Sequence, residues 1–409
     1  MLSTIEYWLS IANKYIMIRL KPVFNLGVFY IVGITLPLRG IPCAIMRGGT
    51  SKGVFFKKED LPADRRLWDE IILRIFGSGD PMQLDGLGGS HTHTSKVMIV
   101  WRSERPGIDV DYLFGQVGIE RRYIDWSGNC GNLTSAVGPF AIDVGIVKAV
   151  EPRTTIRMYN VNTGKRVDAI VPVKDGMTLY EGDYMIDGVP NPGSRIDLVW
   201  YDPGGSHSGK LLPTGNPLDR IEIGGKIYEI SIVDAANPAV FVRAKDLGLT
   251  GTETPGEIDS ETLAKLEAIR SKAAELMGLV ERAEEATTKS PHFPFIAIIG
   301  KKRDYRTVNG KMIREEQYTV LARLFSMQKM HHAYPVTGSI CTAAASKIPG
   351  TIVNQLSEDI GDTVIIGHPK GIIDLKVRIR PSGENVHIDS VTIGRTARRL
   401  MMGIAYYID

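Results

Sequence analysis

Residues 127–138 read SGNCGNLTSAVG, and residues 337–348 read TGSICTAAASKI. Both run from glycine and small polar residues into a segment rich in Ala, Ser and Thr. The first continues as GNLTSAVGPFAIDVGIV (131–147), small or apolar on nearly every side. Such a segment suits a helix wrapped inside a sheet rather than one laid on a surface. One such segment is ordinary core packing. Two, one in each half of the chain, predict a duplicated unit whose buried helices point their N-termini at a cleft between the halves.

Outward from these segments the chain alternates strands with glycine turns. CAIMRGGTSKGVFF (43–56) reads as strand, turn and strand, its glycines supplying positive φ. LPADRRLWDEIILRIFG (61–77) has helical spacing, with Pro62 near its start and Gly77 after its end. VDYLFGQVGI (110–119) alternates like a half-buried strand. Strands are expected at 220–233, 238–243 and 294–300, a helix at 260–280 capped by Asp259 or Ser260, and a helix-like run near 315–326. Strand and helix follow in irregular order. The expected class is therefore α/β (α+β) with mixed, curled sheets, not a doubly wound parallel sheet.

The 409 residues suffice for two domains. With 49 basic against 46 acidic residues the net charge is +3, without the basic excess of a nucleic-acid binder. Cys43, Cys130 and Cys341 are odd in number and far apart, which points to a reducing cytoplasm rather than to disulfides or structural zinc. FNLGVFYIVGITLPL (24–38), behind Lys14, Arg19 and Lys21, imitates a signal peptide. It is shorter than the roughly 20 residues a membrane span needs, and no small-x-small cleavage site precedes the globular pattern that begins near Ile41. Residues 1–40 are read as an N-terminal extension, with Met17 as an alternative start. A structural arm and a targeting segment are the competing readings.

Cys130 stands in Ser-Gly-Asn-Cys-Gly-Asn, immediately before the first buried helix. Free N–H groups and the positive end of the helix dipole stabilise a thiolate or a substrate carboxylate there. The competing reading is a buried structural cysteine. Lys96 precedes the apolar run VMIVW, where lost hydration makes a lysine a usable base; the alternative is a solvated strand-end lysine. His91 and His93 share one strand face, but no third metal ligand is placed by the sequence. The Arg47–Gly53 loop lacks the order of a phosphate loop. Arg47, Thr50 and Ser51 instead offer donors for a carboxylate, unless the loop is a plain turn. His331-His332 and Gly367-His368-Pro369 are lesser candidates, read as structural or supporting.

Together MRGGTSKGVFF (46–56), the Asp85-to-Lys96 run, DWSGNCGNL (125–133) and the Thr342-to-Thr351 segment resemble the PrpF family over 41–409. That family comprises 2-methylaconitate cis–trans isomerases, 4-oxalomesaconate tautomerases and methylitaconate Δ-isomerases. The resemblance implies the diaminopimelate-epimerase-like fold, two similar domains that each curl a mixed sheet around a central helix and share a cleft. The domains are expected at 41–195 with 395–409, and at 196–394. In the epimerase branch a Cys-Gly-Asn supplies one thiol, matched here by Cys130, Gly131 and Asn132. The second thiol's motif is matched only by Ile340-Cys341-Thr342-Ala343-Ala344, which puts Ile340 at the cysteine position. The isomerase branch pairs the first cysteine with a lysine, here Lys96.

The resemblance therefore implies cofactor-independent proton transfer on a small unsaturated polycarboxylate, with Lys96 and Cys130 as the acid/base pair and no metal. Arg47, Thr50, Ser51, Gly131, Asn132, Ser339 and Thr342 are expected to bind the substrate. A functional link to an aconitase-like dehydratase and a homodimer or larger homo-oligomer are also implied. Two alternatives stay open. An amino-acid epimerase would need Cys341 as a second thiol. A non-catalytic accessory of an aconitase-like partner is disfavoured by the lack of a cluster-type cysteine set.

Overall fold

The computed structural model describes residues 5–11, 14–22, 29–31, 39–357, 361–383 and 385–408. Before residue 39 it gives only the backbone of three strands, Ile5–Ile11, Lys14–Pro22 and Phe29–Ile31. Much of the extension expected over 1–40 thus lies outside the described residues. Among the described residues no helix is long and apolar enough to cross a membrane.

The first half contains β1 (Arg39–Gly48), β2 (Ser51–Lys57), β3 (Lys96–Arg102), β4 (Val110–Val117), β5 (Arg153–Asn160), β6 (Lys165–Lys174) and β7 (Ile196–Tyr201). Neighbouring strands pair in sequence as antiparallel, parallel, antiparallel, parallel, antiparallel and antiparallel. The second half has β8 (Asp219–Ile223), β9 (Lys226–Ala235), β10 (Asn237–Arg243), β11 (Phe295–Gly300), β12 (Val320–Ser326), β13 (Thr363–His368), β14 (Gly371–Ser382) and β15 (Asn385–Arg395). From β9 to β15 the same six pairings recur in the same order. The final strand, β16 (Ala397–Tyr407), returns to β1 and takes there the place that β8 takes beside β9.

The helices repeat too. α1 (Trp68–Phe76) joins β2 to β3 and α3 (Ser260–Leu276) joins β10 to β11. α2 (Gly131–Asp143) joins β4 to β5 and α4 (Val336–Lys347) lies between β12 and β13. The burial pattern explains the layering. On β2 and β3 the alternate residues Phe55, Met98 and Val100 pack inward with α2, while Val54, Phe56, Val97 and Ile99 pack outward with α1. α2 is buried from Gly131 through Ile142 and α4 from Val336 through Ser346, so each is a core helix. β7 begins at Ile196 and pairs with both β6 and β15, which joins the two sheets.

Three expectations shift. The helix expected from 61 starts at Trp68, because Asp64 turns the chain first by accepting from the Arg66 N–H at 3.0 Å. The run near 315–326 is a 3₁₀ turn (Glu315–Gln317) followed by β12. There Glu315, Glu316 and Gln317 favour helix, but pairing with both β11 and β13 buries nearly all of β12 and overrides that preference. The third is the start of α4. The echo between the halves placed Ile340 opposite Cys130, whereas α4 begins at Val336 behind Pro335.

Candidate active site

The two core helices meet end to end. A Cβ on Gly131, the first residue of α2, would lie 2.5 Å from Val336 Cγ1 at the first residue of α4. Glycine at 131 is what lets the helices approach so closely. Cys130 is the N-cap of α2 and its side chain makes no capping bond, so none of the first N–H groups of the helix is spent on it. The Cys130 thiol is buried and faces Ser51 Oγ at 3.9 Å. The β1–β2 turn closes over it. The Thr50 N–H donates to Asn132 Oδ1 at 3.3 Å. Gly49, at φ +50, leaves room for that amide, since its Cβ would fall 2.1 Å from Asn132 Oδ1. Turn and helix start thus require each other.

Lys96 opens β3 on the inner face, half-buried. Its Nζ donates to Gln116 Oε1 at 2.6 Å and lies 5.1 Å from the centre of the Phe114 ring. Gln116 is the cross-strand partner of Lys96. Its own Nε2 donates to the Thr92 and Ser95 carbonyls, which fixes the amide with its oxygen toward the lysine. The other edge of Phe114 touches Gly128, two residues before Cys130. Lys96 and the Cys130 loop therefore flank one aromatic ring. Sequence reasoning passed over Gln116; the signal was a polar residue on the strand face that otherwise carries Val110, Tyr112 and Phe114.

The second half supplies the facing wall. His331, in the turn between β12 and α4, lies within electrostatic reach of Lys96, His93 and His332. The residue is only half-buried, yet dense protein around the ring pushes its pKa down to about 4. The Ala333 N–H donates to its Nδ1 at 3.1 Å, so the ring proton sits on Nε2. His292 Nε2 lies 3.4 Å from Asp125 Oδ2 across the halves, and burial lowers its pKa ahead of the opposing pull of Asp125. Gly188 bridges above, against Thr50 on one side and Lys370 and Ala333 on the other. A cavity of about 200 Å³ runs beside it, lined by Arg47, Thr50, Ser51, Lys52 and Thr94 among others.

The remaining expected residues divide. Arg47 Nη1 donates to the Gly49 carbonyl and to both oxygens of Thr396, each at 3.0 Å, tying the turn to β16. Ser339 and Thr342 lie inside α4, wholly buried. The Ser339 hydroxyl donates to the Val336 carbonyl, and Thr342 Oγ1 binds the Gly338 carbonyl and the Tyr334 hydroxyl. Their hydroxyls are committed within the helix core, because the helix starts earlier than the sequence echo placed it. Cys341 is a core thiol, fully buried, donating to the Val233 carbonyl at 3.2 Å, and burial pushes its pKa far up. His91 and His93 stack at 5.3 Å. Among the described residues no three His, Cys, Asp or Glu side chains gather in a metal-binding group.

A duplicated mixed-sheet fold with two core helices nose to nose across a cleft is that of the epimerase-like isomerases. The chain belongs to the PrpF family: a family model described as "PrpF protein" matches residues 38–408. It is 47% identical over 371 residues to the 3-methylitaconate isomerase of Eubacterium barkeri, covering 90% of this chain and 97% of that protein. It is 40% identical over 382 residues to a 2-methyl-aconitate isomerase of Shewanella oneidensis, covering 89% and 96%. The (4E)-oxalomesaconate Delta-isomerase of a Novosphingobium species is 37% identical over 370 residues, covering 89% and 97%. The solved structure of a methylitaconate-delta-isomerase superimposes with a TM-score of 0.80 at 46% identity, covering 91% of this chain and 96% of that one. A hydroxyproline epimerase from Agrobacterium vitis shares the fold alone, with a TM-score of 0.53 at 10% identity.

Proposed function

We propose that this isomerase shifts a proton within a small unsaturated polycarboxylate of the 2-methylaconitate or methylitaconate kind, with Lys96 and Cys130 as its acid/base pair. One observation carries the reading: both groups stand on the first wall. Racemisation needs bases on opposite faces of one carbon. An allylic shift needs a proton taken from one carbon and returned to another of the same conjugated system, which one wall can do. One of the pair removes the proton beside the double bond and gives a dienolate delocalised into a carboxylate. Unspent N–H groups at the start of α2, with Ser51 and Asn132, hold the added charge. Gln116 holds the Lys96 amine in place between transfers. Proton return at the far carbon, or at the first after rotation, yields the isomer.

Identity to the Eubacterium barkeri enzyme, 47%, exceeds that to the 2-methyl-aconitate isomerase, 40%, which favours methylitaconate-type double-bond migration as the second reading. A 4-oxalomesaconate-type tautomerisation would use the same groups. The domains are proposed as 41–195 with 395–409 and 196–394, the substrate lying between them. Substrate supply by an aconitase-like dehydratase, a homo-oligomeric state and a cytoplasmic location belong to the same proposal. The purified protein alone should interconvert at least one of 2-methylaconitate, methylitaconate and oxalomesaconate, and exchange substrate hydrogen with D2O. Turnover of diaminopimelate instead, or of none of these acids, would sink the reading.

A further inference from the structure

Arg395 ends β15, where the chain crosses from the second sheet to β16 in the first. Strand alternation puts it on the inner face with Val391 and Ile393, beside Ile196 of β7. Only 6% of it is exposed. Among the described residues its one side-chain hydrogen bond runs from Nη1 to the carbonyl of its own neighbour, Gly394, at 2.9 Å, and Nε is buried with no acceptor. Among the described residues it has no ion pair. Tyr184 and Asp374 lie within electrostatic reach, but burial outweighs both and holds the guanidinium pKa down to about 10. A buried cation with no directly paired anion costs folding free energy, which the more distant Tyr184 and Asp374 offset only in part.

Besides Tyr184 and Asp374, its surroundings include donors. His368, 2% exposed, feels Arg323, Arg395 and His331, and burial pushes its imidazole far toward the neutral form. The Lys370 N–H donates to His368 Nδ1 at 3.2 Å, which leaves the ring proton on Nε2, as at His331. His331 in turn feels Lys96. Arg395, His368, His331 and Lys96 thus lie within electrostatic reach of one another in turn. The next residue, Thr396, accepts from Gly49 N–H and Arg47, which sets Arg395 behind the turn that closes over Cys130.

We infer that Arg395, with His368 and His331, forms a socket for a carboxylate of the substrate remote from the reacting carbon. The inference rests on the polycarboxylate reading above and deepens it. The socket sets binding groups on the second wall and at its seam with the first, and it gives a tricarboxylate or dicarboxylate an orientation relative to Lys96. A guanidinium fork grips a carboxylate through two parallel bonds, and here the carboxylate supplies the missing acceptor.

Tricarballylate, a saturated tricarboxylate with no double bond to move, separates binding from turnover. Wild-type protein should bind it by calorimetry and melt at a higher temperature in its presence. Arg395→Met should melt no lower than wild type without ligand, because an unpaired buried charge has gone, while its tricarballylate affinity falls roughly 100-fold. Arg395→Lys, which keeps the charge, should retain more affinity than Arg395→Met. On the isomerised acid, kcat/KM should fall more than kcat. If Arg395→Met does not fold, Arg395→Gln is read in its place. An Arg395 variant that melts lower yet binds tricarballylate like wild type would make the arginine structural and overturn the socket. Wild-type protein that binds no tricarballylate overturns it too. A wild type that binds it through Arg395 but isomerises none of the acids keeps the socket and discards the proposed reaction.

Discussion

On the first wall of the cleft, Lys96 opens β3 and Cys130 caps α2; on the second, Phe295 opens β11 and Pro335 caps α4. The correspondence follows from strand register. Phe55 faces Met98 in the parallel pair β2–β3, and Phe241 faces Ala297 in β10–β11, all four on inner faces. Two residues earlier in each pair stand Gly53 with Lys96, and Ala239 with Phe295. The turn contacts match as well: Thr50 N–H meets Asn132, the second residue of α2, and Asn237 Nδ2 meets Thr337, the second residue of α4, at 2.8 Å. One architecture therefore carries an amine and a thiol on one side and neither at the matching points of the other. What the second wall and its seam with the first have instead are donors held neutral or unpaired, His331, His368 and Arg395. If Lys96 and Cys130 move the proton as proposed, the difference is that between a racemase, which needs two bases face to face, and an enzyme that works a conjugated system from one side.

The largest expected effect tests the active side of that comparison. Lys96→Ala should lower kcat by roughly 100- to 10,000-fold in a folded protein, the usual contribution of a positioned acid or base. Lys96→Arg should fail nearly as badly, since a guanidinium keeps its charge but does not release a proton at working pH. Cys130→Ser should also remove most turnover. Steady-state rates on whichever acid is isomerised decide the matter, and near-normal turnover in Lys96→Arg would reduce Lys96 to an electrostatic anchor.

Next comes the seam between the walls. Gly131→Ala puts a methyl group 2.5 Å from Val336 Cγ1, with Val336 Cβ at 2.7 Å behind it, and neither belongs to a long flexible side chain. The helices must part. Denaturant melts should show a loss of about 1–3 kcal/mol, typical of overpacking, together with weaker binding as the N–H groups of α2 shift. Unchanged stability would mean that the helix ends do not touch.

The donor side titrates in a defined direction. His331 has a folded pKa of about 4, below the ordinary histidine value, so the folded chain binds this proton less readily than the unfolded chain. Its contribution to stability is complete above about pH 6.5 and is lost as pH falls through that value toward 4, of order 2 kcal/mol over the window. Lys96, His93 and His332 all push the same way. His331→Gln keeps a side-chain donor and should flatten this acid limb in melts taken from pH 7 to 4 while preserving much of the turnover. A limb as steep as in wild type would show that His331 takes up its proton freely and stands outside the donor wall.

The duplication was legible because a helix buried on all sides leaves a composition no surface helix has, and GNLTSAVG and TAAAS both show it. The register was not. Small residues recur throughout α4, so the echo slid by five, placing Ile340 where the structure has Pro335. The helix start depends on where the chain leaves β12, and that stretch read as helix. Cys130 stood out by its local sequence, and Lys96 through the family resemblance of the run that carries it. Gln116 and Arg395 did not, because their roles come from pairing: Gln116 opposite Lys96, and Arg395 opposite Ile196 nearly half the chain away. An arginine in an exposed-looking GRTARR run gives no sign that it is buried and unpaired.

The smallest expected effect bears on whether the second wall once more carries a thiol. Cys341 is the residue an epimerase reading would need, one turn and more inside α4 rather than at its cap. Its sulfur is wholly enclosed, bonds the Val233 carbonyl, and is held protonated by burial. A thiol so placed fills core space and reaches no substrate carbon. Cys341→Ala removes one sulfur atom from a helix packed against β9 and β10, and leaves a small cavity and a carbonyl without its weak donor. The expected cost is about 1 kcal/mol in a denaturant melt, with turnover within about twofold of wild type, since residues away from a proton path change rate little. Cys43→Ala is the control, another buried thiol, on β1 with its side chain on the outer face. If Cys341→Ala abolished turnover in a protein that still melts like wild type, the thiol would have to reach the cleft, the two walls would be chemically alike after all, and the two-base mechanism would return.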